Sequence, residues 1–185
     1  VSTLTRIING VPELAPGRVL TFDVAGEPIM QGSMRSFVDP RTLKVVTKPD
    51  DKRLKPWRKK VRAAAQVFMN GRAPVPRDKA LLLGCEFRLD REAVTKTGAK
   101  RAGAGLDWPS LGSDQDKLVR AIRDALTGVV YVDDSQCLGS SICDDGGKVV
   151  CAVPDFKRWT KPGEEPGVTI RVCLASTAQK ALLEL

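Results

Sequence analysis

Residues 113–136, SDQDKLVRAIRDALTGVVYVDDSQ, constrain the fold of this chain more than any other stretch. Leu118, Ala121, Ile122, Ala125 and Leu126 recur at i, i+3, i+4, i+7 and i+8. That is the period of one helical face, not of a strand. Ser113 stands where a cap would start the helix, and Gly128 where a left-handed residue would end it. The apolar, β-branched and aromatic run at 129–132 then predicts a buried strand, with Asp133 and Asp134 at its end. A dozen helical residues rise about 18 Å. Five or six strand residues cover about 17–20 Å. A strand folding back along the helix would return Asp133 and Asp134 to the level of Asp114 and Asp116. Four carboxylates gathered at one end are costly unless a cation sits among them.

The acids also have local explanations. Ser113 followed by Asp116 fits a capping pattern, acids at a helix N-terminus complement the macrodipole, and Asp133-Asp134 reads as a turn after a strand. The two readings place atoms differently. With Ser113 as the cap, Asp114 and Asp116 are both helical and point roughly 200° apart. With the chain still extended at Asp114, the two carboxylates can converge. Asp116, Arg120, Arg123 and Asp124 share the polar face, so a cation stands one turn from Asp116.

The 185 residues are enough for one domain with a real core. A net charge of +8 favours a polyanionic partner, with nucleic acid ahead of a membrane surface. No apolar run approaches transmembrane length and no signal-peptide core opens the sequence, so a cytoplasmic location is expected. There is no histidine, which removes His-based triads and general bases. The cysteines at 85, 137, 143, 151 and 173 lack a CxxC pair and read as reduced, structural thiols rather than a zinc site. Carboxylate oxygens without His or Cys ligands suit Mg²⁺ or Mn²⁺. In a basic protein such an ion serves phosphodiester hydrolysis.

Residues 1–18 read as an extended lead-in. Alternation predicts a strand at 20–24, a hairpin around the Pro40 turn, and the clearest strand of the chain at 81–89. Pro56 sits in the first turn of a helix that runs to Asn70-Gly71, with Trp57, Val61, Ala64, Ala65 and Phe68 on its buried face. Further strands are expected at 148–153 and 168–174, and a short C-terminal helix at 177–185. The mixed order of elements makes the chain α+β: a single domain over 19–175 with a small mixed sheet and flanking helices, followed by the tail at 176–185. Between Arg35 and Arg62 cations far outnumber acids, and the 91–105 loop is basic and Gly/Ala-rich. Arg35, Lys44, Lys48, Arg58 and Lys59, Lys117 beside the aspartates, and Lys100 and Arg101 in the loop are the expected phosphate contacts.

The central stretch resembles the RusA family of Holliday junction resolvases. The family pattern D-x-D-N-L-x-K, then D-A-L, then D-D-x-Q is met by Asp114-Gln115-Asp116-Lys117-Leu118-Val119-Arg120, Asp124-Ala125-Leu126 and Asp133-Asp134-Ser135-Gln136. Gly26-Glu27-Pro28 and the following Gly-containing loop that ends in Arg35 look like the family as well. The likeness extends loosely from Val19 to about Leu174 and is specific over the central residues. It implies a homodimeric α+β endonuclease that needs Mg²⁺ or Mn²⁺ and nicks four-way DNA junctions symmetrically in recombination and repair, in a family common in phages and prophages. It also implies that Asp114, Asp116 and Asp134 are the essential, metal-holding carboxylates, with Arg120 in the place of the family's catalytic lysine and Asp133 a lesser candidate. Lys117 stands where the family has Asn. Two other readings fit the same residues: a non-catalytic branched-DNA-binding protein of this fold, and a nuclease acting on flaps or forks.

Overall fold

The computed structural model describes residues 7–8, 11–12, 19–32, 34–49, 51–90, 109, 114–139, 141–143, 149–152 and 155–175. The chain is α+β. Its eleven described strands are β1 (Ile7–Ile8), β2 (Val11–Pro12), β3 (Val19–Ala25), β4 (Met34–Val38), β5 (Val45–Pro49), β6 (Leu81–Leu89), β7 (Cys137–Gly139), β8 (Ser141–Cys143), β9 (Val149–Ala152), β10 (Phe156–Trp159) and β11 (Gly167–Leu174). Its two described helices are α1 (Leu54–Met69) and α2 (Gln115–Leu126).

β6 is the centre of the sheet. One edge pairs antiparallel with β11, which pairs antiparallel with β3. The other edge pairs parallel with β7 at its start and with β10 at its end. The residues of β6 alternate in function as well as direction. Cys85, Phe87 and Leu89 enter the core, together with Val24, Val168, Ile170 and Val172. Glu86 and Arg88 point the other way, as the two-residue period requires. On that face Arg158 and Arg171 both donate to Glu86 at 2.7 Å, and Arg88 reaches Thr169 and Asp23. Gly167 makes room there, since a Cβ would fall 2.5 Å from the Val24 carbonyl oxygen and 2.8 Å from Arg88 Nη2.

Both helices pack into one core with the sheet. Leu54, Trp57, Val61, Ala65 and Met69 form the buried stripe of α1, and Phe68 stacks on Phe22 of β3 with centroids 4.6 Å apart. Pro56 lies in the first turn, where its missing N–H is harmless. Asn70 closes the helix in the left-handed conformation. In α2 the stripe is Leu118, Val119, Ala121, Ile122, Ala125 and Leu126. Arg58 of α1 pairs with Asp124 of α2 and with Gln31, bracing the two helices together.

Three expectations change. Residues 129–132 do not form a strand. Gly128 adopts φ 73° and donates to Tyr131 O at 2.6 Å, while the N–H groups of Val129 and Val130 both reach Leu126 O. The run is a tight turn, with single bridges from Tyr131 to Val75 and Thr127. It is apolar because it packs beneath the helix end, where Val130 and Tyr131 are fully buried. A second change is β10, an edge strand where no strand was expected. The third concerns the lead-in, which carries the short β1–β2 ribbon. The expected strand at 148–153 is present as β9, paired in a hairpin with β8. The tail at 176–185 lies outside the described residues, as does the 91–105 loop.

Candidate functional site

Asp114 is the N-cap of α2. Its backbone is extended (φ −64°, ψ 121°), and its side chain accepts from the N–H of Asp116 at 3.2 Å. Ser113 lies outside the described residues, and the cap belongs to Asp114. Lys117 Nζ stands 3.5 Å from Asp114 Oδ2, one turn along. On the same helix, Asp116, Val119, Arg120 and Arg123 follow each other at i, i+3, i+4 and i+7. They form a stripe along the helix beside the core stripe.

This stripe lines a cavity of about 320 Å³, together with Gln115, Asp134 and Asp155. Asp116, Arg120 and Asp134 therefore come together as the spacing implied, although a turn rather than a strand brings Asp134 there. Tyr131 donates its hydroxyl to Arg123 O at 2.8 Å, which carries the returning chain back one turn along α2. A short 3-10 turn, Asp134–Gln136, follows, capped by Asp133. The side chain of Asp133 accepts from Ser135 N–H, and those bonds hold its carboxyl below the usual range. It also faces Arg77 at 3.4 Å rather than lining the cavity. Asp114 is likewise absent from the lining.

Asp155 and Arg123 were not anticipated as site residues. Asp155 lies just before β10 and accepts from the backbone N–H of Cys85 at 2.8 Å, while Gln115 Nε2 donates to its carbonyl at 2.8 Å. Burial pushes the Asp155 carboxyl above the usual range, the Cys85 N–H pulls it down, and the charge of Asp116 raises it further. Arg123 Nε is buried without a hydrogen-bond partner among the described residues. The acid had no local sequence signal. The arginine was visible on the polar face of α2.

The cavity's three carboxylates, with no thiol or imidazole in its lining, are a hard-donor set that suits Mg²⁺ or Mn²⁺. Among the described residues no three acidic or thiol groups already stand together at ion-holding distance. Neither Cys85 nor Cys137 offers an activated thiolate. Burial raises Cys85 well above its ordinary value and lifts Cys137 to about 11.

Among the described residues, the other expected cations stand apart from the cavity lining. Lys44 is exposed at the β4–β5 turn and Lys59 on α1, whereas Arg58 is committed to Asp124 and Gln31. Arg35 and Lys48 are register partners in the β4–β5 hairpin. Lys100 and Arg101 lie outside the described residues. Among the described residues no helix is long and apolar enough to cross a membrane. No known family model matches this chain, and a search of curated proteins returns no match.

Proposed function

We propose that the protein is a metal-dependent, structure-selective DNA endonuclease that resolves Holliday junctions and related branched DNA by paired symmetric nicks, in recombination and repair. The observation that carries this reading is the shared cavity, where Asp116 and Asp134 from separate segments meet Arg120. A net charge of +8 supports a polyanionic substrate. Mg²⁺ or Mn²⁺, when bound, activates water and offsets charge on the phosphate. Asp116 and Asp134 would hold the ion, with Asp114 at the helix cap as the third carboxylate that the family resemblance implies. Arg120 offers a forked guanidinium to the scissile phosphate. Two cuts related by two-fold symmetry call for a homodimer.

The test is cleavage of a labelled four-way junction and a matched linear duplex, in Mg²⁺, Mn²⁺ or EDTA. Metal-dependent paired nicks on the junction, lost in Asp116→Asn and Asp134→Asn with binding retained, are the expected result. One observation favours the non-catalytic alternative: Lys117 already occupies Asp114. Tight junction binding with no cutting in any metal would establish that alternative.

A further inference from the structure

The β4–β5 hairpin is a two-stranded sheet of its own, unpaired with the main sheet. Its distal end exposes three large apolar side chains: Val38 at 56%, Leu43 at 80% and Val45 at 70%. Val38 and Val45 are direct cross-strand partners and so share one face of the ribbon. Leu43 belongs to the closing turn, where its N–H donates to Asp39 O at 2.8 Å and Asp39 N–H donates to Lys44 O at 2.9 Å. Its backbone is left-handed, with φ 53°. Gly or Asn adopts that conformation at low cost, whereas a leucine is strained there. Backbone strain and an exposed leucine thus coincide in a ribbon that is marginal by itself.

The same turn is cationic. The hairpin has Arg35, Arg41, Lys44 and Lys48 against one acid, Asp39. Asp39 accepts from Arg41 N–H at 2.9 Å, and its side chain is spent on holding the turn. Arg41 and Lys44 are exposed on either side of Leu43, and neither side chain meets an acid among the described residues. An apolar tip flanked by cations fits a base stack: the cations rest on phosphates while the aliphatic chain enters between base pairs. Opening a continuous stack is costly, and the cost is least where pairing is already interrupted. A second copy of the chain would meet these cations with a net charge of +8, whereas DNA meets them with opposite charge.

We propose that Leu43, backed by Val38 and Val45, is an apolar wedge that enters the base stack of DNA at a helical discontinuity, with Arg41 and Lys44 on the flanking phosphates. The inference rests on the DNA reading above for its partner. It adds the means of selection, placing the preference for branched over linear DNA in the hairpin tip rather than in the acidic cavity.

The test uses the full chain in EDTA, a four-way junction with 2-aminopurine beside the branch point, and a matched duplex. The wild-type protein is expected to bind the junction at least tenfold more tightly than the duplex and to raise the 2-aminopurine fluorescence as the base unstacks. Leu43→Asn suits the left-handed position, so the turn persists. It is expected to lower junction affinity about tenfold and to abolish the fluorescence rise, with duplex binding unchanged. Arg41→Gln with Lys44→Gln should weaken both DNAs and reduce the salt slope by about 2. Undiminished junction binding and fluorescence in Leu43→Asn would overturn the wedge and leave the DNA reading standing. Wild-type protein that binds neither DNA would overturn both. A dimer that dissociates in Leu43→Asn, with the fluorescence rise intact, would assign the tip to a second copy and overturn the wedge.

Discussion

The carboxylate of Asp155 accepts a hydrogen bond from the backbone N–H of Cys85 at 2.8 Å, tying an acid of the candidate cavity to the buried middle of the central strand. The bond joins positions 70 residues apart and fixes where β10 begins beside β6. Asp155→Ala leaves a buried N–H without its acceptor and is expected to cost about 1–3 kcal/mol. Asp155→Asn keeps an oxygen in place and should cost less. Urea midpoints for the two variants measure the difference. If the carboxylate also serves the metal or the attacking water, Asp155→Asn loses cleavage while staying folded. Wild-type cleavage by Asp155→Asn would confine the residue to a structural part.

Where a local period existed, the sequence disclosed the fold. The alternation at 81–89 marks β6, the helical stripes mark α1 and α2, and the Pro40 turn marks the β4–β5 hairpin. The run at 129–132 misled because a continuous apolar stretch has no period, and burial beneath a helix end reads like burial in a sheet. β10 escaped notice because its parallel pairing with β6 is wholly non-local. Within the site, the helical period put Asp116 and Arg120 on one polar face, whereas the path back to Asp134 was expected as a strand and is a turn. Asp155 was not legible, since what places it is a backbone group in a distant strand.

Gln136 is the buried clamp behind Asp133 and Asp134. Its Oε1 accepts from the N–H groups of Val132 and Asp133 at 3.0 and 2.9 Å, and its Nε2 donates to the carbonyls of Val75, Pro76 and Lys79 at 3.2, 2.8 and 2.9 Å. Replacement by Leu removes all five contacts in a site that is 5% exposed. The expected loss is about 3 kcal/mol, with unpaired backbone groups as the cause. Gln136→Glu should do no better, because a carboxylate would face three carbonyl oxygens. Thermal or urea unfolding of both variants checks this, and near-wild-type stability in either would refute the clamp.

The outer face of the sheet has a definite acid response. Arg158 donates to both oxygens of Glu164 at 2.6 Å, holding that carboxyl at about 2. Burial would raise Glu86, but hydrogen bonds from Arg171 and Arg158 outweigh it and lower the group. A carboxylate depressed in the folded state stabilises the fold fully above its unfolded value near 4.5, and that contribution is lost as pH falls toward 2. Arg158→Met is expected to cost on the order of 1 kcal/mol at neutral pH, since solvent screens these partly exposed pairs. Its stability should also fall less steeply than that of wild type between pH 4.5 and 2. Unfolding midpoints measured across that window decide the point, and parallel curves would exclude the linkage.

Lys117 governs how available Asp114 is. The 3.5 Å pair is about half exposed on each side, and it places a fixed positive charge on a carboxylate that the proposed reaction needs for metal. An ion approaching Asp114 must displace or tolerate that ammonium group. Lys117→Asn removes the charge and keeps a polar side chain of helical compatibility. At an effective dielectric near that of a protein surface, one such charge is worth about 1 kcal/mol after screening, or roughly fivefold in ion affinity. The variant is therefore expected to reach half-maximal junction cleavage at roughly one-fifth the Mg²⁺ concentration. Its junction binding in EDTA should weaken slightly, because one cation is removed. Should wild type bind without cutting, Lys117→Asn is the substitution expected to bring cleavage out. An unchanged Mg²⁺ requirement would show that Asp114 is no metal ligand, leaving Asp116, Asp134 and Asp155 as the set to vary next.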